Sequence, residues 1–259
     1  MQETVTLANW QFYLLLLLAV YAVWRLLILP LLQGLIYRRS QSTERVLDEE
    51  LEFGLPAYAI ASRQLWVDRI ISDPQVIDAI DKAGEKLGSR EEALSQAREF
   101  ATQIVPSFNA LLYFRIGNWV ARKWLRFYYW IQVGFSEHEE YKNIPRDSTV
   151  VMVSNHRSNF DPLFLIYLTS KTAPVSYSAG EWALVTPFRQ FIHALGFFIV
   201  RRDQTGNALY HKVLERYVFL ATSHTIPQGL FIEGGLSRDG RIQPLKLGLL
   251  NYLVKGLGK

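Results

Sequence analysis

The chain has 259 residues and no cysteine. That absence excludes disulfide scaffolds, thiolate zinc sites, iron–sulfur clusters and cysteine nucleophiles together. It also fits a reducing compartment. The start of the chain has no basic region and no small-residue cleavage site, so a secretory signal peptide is not expected. No internal repeat, low-complexity linker or nucleic-acid-binding module is recognisable. What is present is a chain that is 49% hydrophobic. Such a composition is neither disordered, collagenous nor wholly transmembrane. At about 150 residues per domain, the length holds one large domain, or one domain plus an anchor.

Charge is unevenly distributed along the chain. Residues 1–37 carry Arg25 against Glu3, residues 38–105 carry 9 basic and 13 acidic side chains, and residues 106–259 carry 18 basic and 10 acidic. The last segment therefore suits anionic ligands such as phosphate esters and anionic lipid head groups, with nucleic acid disfavoured. Residues 10–36 form an apolar run long enough for the ~20 residues of a membrane helix. Arg25 interrupts the run, at roughly 2.5–3.5 kcal/mol if central, and Pro30 kinks or ends the helix. A tilted single span is expected, with an interfacial helix or a hairpin as the alternative. Arg38 and Arg39 follow the run, so the positive-inside rule places the remainder on the cytoplasmic side.

Residues 38–105 read as a solvated helical connector. Asp73-Pro74 is a helix start, Gly84 and Gly88 are expected to break that helix, and Ser89 with Glu91 and Glu92 opens another. Residues 106–135 interleave Trp119, Trp124, Phe127, Tyr128, Tyr129 and Trp130 with Arg115, Arg122, Lys123 and Arg126. This composition suits a helix at the lipid head-group level, and equally a buried amphipathic helix of the domain. From residue 140 onward short apolar runs alternate with helical patterns. Strands are expected over 149–153, 175–178, 197–200 and 229–232, and helices over 162–168, 188–194, 206–221 and 245–254. The fold class that follows is α/β: a mostly parallel central sheet flanked by helices, preceded by a membrane helix and the connector. The expected organisation is an anchor over 1–37, a connector over 38–105 and a catalytic domain over 106–259.

Polar residues gather where these strands end. The first strand runs into Ser154-Asn155-His156-Arg157-Ser158-Asn159-Phe160-Asp161, the third into Arg201-Arg202-Asp203, and the fourth into Glu233-Gly234-Gly235-Leu236-Ser237-Arg238. In open α/β sheets ligands bind outside the carboxyl ends of the strands. If the strands are parallel, the clusters converge. A turn brings Asp161 back to one nitrogen of His156, leaving the other to take a proton from a substrate hydroxyl. Asp161 before Pro162 equally suits a helix cap. Arg201 and Arg202 cannot both face a core, and they suit bidentate contact with phosphate. The glycine-containing loop from Glu233 offers backbone N–H groups and a guanidinium to the same kind of ligand. It is neither a Gly-Lys-Ser/Thr nucleotide loop nor a Gly-x-Ser-x-Gly elbow, since Asp239 stands where the last glycine would be. A hydroxyl-activating base with phosphate-holding arginines is equipment for acylating a phosphorylated alcohol.

The block from Asn155 to Asp161 resembles the His-four-residues-Asp motif of the glycerolipid acyltransferases. The Arg157-Ser158 pair resembles the glycerol-3-phosphate and dihydroxyacetone-phosphate branch. Gly196 through Arg202 with Gly206-Asn207, and Phe231 through Arg238 with Lys246 through Asn251, are similar to that branch's second and third blocks. The resemblance implies direct transfer of a fatty acyl group from acyl-CoA or acyl-carrier protein to the sn-1 hydroxyl of glycerol 3-phosphate. It implies no metal, no cofactor beyond that co-substrate and no covalent intermediate. His156 would be the base and Asp161 its partner. Arg157, Arg201, Arg202, Glu233, Gly234, Gly235, Ser237 and Arg238 would hold the acceptor phosphate. Membrane lipids, the acyl donor and glycerol 3-phosphate are the implied partners, and a membrane the implied location, the inner membrane if the source is bacterial. Two departures stand out. Leu236 occupies a position where many members carry Arg, and the family's fourth block, an apolar strand with Ile-Pro or Val-Pro, is absent. The domain is accordingly expected to lack its C-terminal part. Acylation of lysophosphatidate or dihydroxyacetone phosphate, hydrolysis, and an inactive membrane-anchored lipid-binding fragment are the alternative readings.

Overall fold

A computed structural model describes residues 62–257, apart from 111, 133, 135–142, 146–147, 170–173 and 186–187, and positions 13, 14, 16–18, 20 and 21. Those 7 early positions are helical. Among the described residues no helix is long and apolar enough to cross a membrane, so the expected transmembrane helix is not found there. Arg25, Pro30, Arg38 and Arg39 lie outside the described residues.

The α/β expectation holds in full for the sheet. Strands β1 (Val151–Ser154), β2 (Ser176–Ala179), β3 (Phe198–Ile199) and β4 (Gln228–Phe231) form one sheet in the order β1-β4-β2-β3, and every pairing is parallel. The pleat sends alternate side chains to opposite faces. Val151, Phe198 and Leu230 therefore join one apolar cluster, while Met152, Ile199 and Phe231 join the other.

Helices cover both faces. On the first lie α1 (Arg63–Ile71), α2 (Pro74–Leu87) and α3 (Arg90–Ile104), with α7 (Ala208–Ser223) and α8 (Gly248–Leu257). On the second lie a wide π-helical turn (Leu112–Gly117), α4 (Asn118–Tyr128) and α5 (Asp161–Thr169). A short 3-10 turn (Glu181–Leu184) and α6 (Phe188–Ala194) link β2 to β3.

The starts of α2 and α3 follow the sequence. Asp73 accepts a hydrogen bond from the Gln75 N–H at 3.0 Å with Pro74 next to it, and Ser89 accepts from Glu92 at 3.2 Å. Gly88 ends α2 in the left-handed region at φ 77°. Gly84, however, does not break the helix. It sits inside α2, where a Cβ would come within 2.9 Å of the Arg90 backbone, so its missing side chain lets α2 and α3 pack closely. Nor are α1–α3 a solvated connector. Trp66, Ile70, Val76, Ile80, Ala97 and Ile104 are buried in the same core as Tyr217 and Leu253.

At Gly229 the sheet tolerates nothing larger. The residue pairs with Tyr177 across β4 and β2, and an added Cβ would stand 1.6 Å from the Tyr177 ring, which is fully buried. Gly229→Ala should cost about 3 kcal/mol by overpacking. Thermal unfolding should fall by roughly 6–12 °C. An unchanged melting temperature would mean that the Tyr177 ring moves freely aside.

Candidate active site

Because all four strands run parallel, their carboxyl ends share one edge. The polar clusters read from the sequence meet there. His156 follows β1, and its Nδ1 lies 2.9 Å from Asp161 Oδ2. The same oxygen accepts the Arg157 N–H at 2.8 Å and the Ser158 N–H at 2.9 Å. These donors all precede α5, so Asp161 Oδ2 turns back to the loop rather than capping the helix. The loop is pinned further by Asp161 N–H to the Ser158 carbonyl at 3.1 Å, and by Phe160 N–H to Ser158 Oγ at 3.1 Å.

This arrangement sets the tautomer. A carboxylate offers no donor, so the short contact puts the proton on Nδ1 and leaves Nε2 as the basic nitrogen. The imidazole stacks on the Phe231 ring, centroids 4.2 Å apart and planes 23° from parallel. Phe231 is the last residue of β4, the strand beside β1, and it fixes the plane that Asp161 leaves free. The loop after β4 is tied in as well, because the Ser237 N–H donates to the His156 carbonyl at 2.8 Å.

Loops after β2, β3 and β4 are cross-linked. Glu181, immediately beyond β2, accepts the Arg202 N–H and, at 2.7 Å, the Asp203 N–H. The Arg202 guanidinium donates to the Gly234 carbonyl. Gly234 takes φ 62°, a backbone conformation that L side chains rarely adopt, so the loop needs glycine there. Gly235 lies under the same guanidinium, its Cβ position 3.4 Å from Arg202 Nη2. Ser237 is buried and donates to the Arg241 carbonyl at 2.7 Å. Glu233 is also buried, and neither carboxylate oxygen has a hydrogen-bond partner.

The remaining site candidates sit differently. The Arg201 side chain is held by the Asp203 carboxylate and by Gln103 Oε1 at 3.0 Å. The hydrogen bond and charge of Asp203 raise the Arg201 pKa further, and the Arg201 guanidinium in turn holds Asp203 down at about 2. Arg157 and Arg238 are exposed. Thus His156, Asp161, Arg202, Gly234, Gly235 and Ser237 are brought together by direct contacts, whereas Arg201 is engaged with its own neighbours. Sequence reasoning missed Glu181 and Phe231 as parts of the site. The signal for Glu181 was available, since it too is a polar residue just past a strand's carboxyl end. The stacking of Phe231 on His156 depends on β4 lying next to β1, which no local pattern encodes.

A histidine–carboxylate pair stands at the edge of a parallel sheet, beside arginine-bearing loops, an arrangement that can take a proton from a hydroxyl. Residues 136–256 match the family model described as Acyltransferase. Curated relatives that the chain resembles are named glycerol-3-phosphate acyltransferase. The chain is 28% identical over 224 residues to a glycerol-3-phosphate acyltransferase of Pseudomonas fluorescens, covering 84% of this chain and 26% of that protein. It is 27% identical over 201 residues to one of Histophilus somni, covering 76% and 25%. With one of Xanthomonas campestris it shares 28% over 199 residues, covering 76% and 22%. The chain therefore spans about a quarter of the length of these relatives.

Proposed function

We propose that this chain transfers a fatty acyl group from a thioester donor, acyl-CoA or acyl-carrier protein, to the sn-1 hydroxyl of glycerol 3-phosphate. The observation that carries this reading is the His156–Asp161 contact at the shared strand edge. His156 Nε2 takes the proton of the acceptor hydroxyl as its oxygen attacks the thioester carbonyl. The imidazolium is stabilised by Asp161 and returns the proton to the departing thiolate. An ester forms and a thioester breaks, with no covalent enzyme intermediate.

Acceptor phosphate is held by Arg202 and the loop from Glu233 to Arg238, with Arg201 reached when Asp203 yields it. Arg157 lines the approach. The domain works at a membrane, on the cytoplasmic side by the Arg38-Arg39 signal.

The test is acyl transfer by the full chain in detergent, from palmitoyl-CoA and from acyl-carrier protein. Glycerol 3-phosphate, dihydroxyacetone phosphate and lysophosphatidate are supplied in parallel. Product with glycerol 3-phosphate supports the reading, and product with another acceptor alone reassigns the substrate. Release of free fatty acid without an acceptor marks hydrolysis, and no turnover with any pair marks an inactive lipid-binding fragment. Arg202→Ala and Arg201→Ala should each raise the acceptor KM, roughly tenfold or more for the loss of a charge-assisted contact. The donor KM should hold. An unmoved acceptor KM removes that arginine from the phosphate site.

A further inference from the structure

The helix α4 presents an unusual surface. Only Ala121 and Leu125 of its residues are buried. Outward face Trp119 at 61% exposure, Phe127 at 79% and, just beyond the helix, Trp130 at 92%. Trp124 and Tyr128 are also exposed. Arg115, Arg122, Lys123 and Arg126 stand among them, all exposed, and residues 112–134 contain no Asp or Glu. Large exposed aromatic patches are costly in water and mark interaction surfaces. Aromatic rings mixed with cationic side chains match one partner well: the head-group region of an anionic bilayer, where rings sit at the acyl boundary and the charges meet phosphates.

Position strengthens the match. The patch is continuous with the loop that carries the catalytic pair. Tyr128 and Tyr129 pack on Phe160 at 5.8 and 6.0 Å between centroids, and Phe160 directly precedes Asp161. A cleft of about 510 Å³ bounded by Arg126, Tyr129, Trp130 and Tyr167 opens on the same side. It offers room for a head group beside a guanidinium.

We infer that α4 and the Tyr129-Trp130 segment are a docking face for an anionic lipid bilayer, distinct from the apolar run at residues 10–36, and that docking turns the His156 mouth toward the lipid surface. The docking face does not depend on the proposed reaction, and its test does not use activity.

Because the apolar run alone could bring the chain to vesicles, immersion must be read at individual positions. The absence of cysteine makes this direct. Single substitutions Phe127→Cys and Trp130→Cys, and Lys86→Cys on exposed α2 across the sheet, are nitroxide-labelled in the full chain. On phosphatidylcholine vesicles with added phosphatidylglycerol, labels at 127 and 130 should lose access to a water-soluble nickel chelate and gain access to oxygen. The label at 86 should remain aqueous. Adding Arg122→Glu, Lys123→Glu or Arg126→Glu should weaken that immersion at least about fivefold per reversed charge. Labels at 127 and 130 as water-accessible as the label at 86 on vesicles that carry the chain would overturn the inference. So would protection already present without vesicles, which would reveal contact with a second copy or a protein. Equal immersion on purely zwitterionic vesicles would overturn the anionic specificity.

Discussion

His156→Ala should abolish acyl transfer, lowering the rate by about a hundredfold to ten-thousandfold, the range that a positioned general base contributes. The loss should fall on kcat, because His156 meets the hydroxyl proton only as the new bond forms. Structure should survive. The side chain is partly exposed, and it stacks on the ring of Phe231. Losing that contact is worth about 1 kcal/mol. The melting temperature should therefore drop by only about 2–4 °C. Normal turnover in this variant would refute the mechanism. A collapse of the folded state would instead assign His156 a structural role, and His156→Gln, which keeps a polar side chain there, separates the two outcomes.

Asp161→Asn should be comparable in size, with a loss of roughly a thousandfold to ten-thousandfold by analogy with other histidine–carboxylate pairs. The substitution keeps the shape but changes the donor balance. One carboxylate oxygen now accepts from His156 Nδ1 and from two backbone N–H groups. An amide can present its oxygen to the backbone donors and its NH₂ to the imidazole. That would select the tautomer with the proton on Nε2, which cannot act as base. Asp161→Ala should lose activity similarly and also loosen the loop, since the Arg157 and Ser158 N–H groups lose their acceptor, at about 1 kcal/mol each. Near-normal kcat in Asp161→Asn would show that Asp161 serves the loop rather than the imidazole. The pH–rate profile helps to distinguish them, because a purely structural role would leave its shape unchanged.

Much of the architecture was readable because parallel strands are buried on both faces and so appear as short apolar runs. The four expected strands overlap the observed ones, and their common direction makes the strand-end rule effective for His156, Arg202 and Gly234. Helix starts at Asp73 and Ser89 were legible because capping is local chemistry. What failed depended on distance. Burial of Trp66 and Ile70 rests on α7, about 140 residues further on, so a polar-looking helical stretch passed for solvated connector. Gly84 was taken for a helix break because only the neighbouring helix reveals why a side chain is excluded there. Arg201 looked equivalent to Arg202 in sequence, yet Asp203 and Gln103 claim one guanidinium while the Gly234 carbonyl receives the other.

The sheet order also bears on how the site comes into being as the chain is made. Strand β1 is paired with β4, which lies more than 70 residues later, and β4 alone joins β1 to β2. A ribosome adds about 5–20 residues each second. For several seconds after His156 and Asp161 emerge, the edge of β1 therefore has no β4 to receive it, and the imidazole has no Phe231 beneath it. The pair is synthesised early but becomes rigid late, when Gln228 to Phe231 slot between strands already waiting. The pair therefore gains its stacking partner only once β4 has been made. A nascent chain halted before residue 228 should show its helices formed and its β1 segment still open to proteolysis.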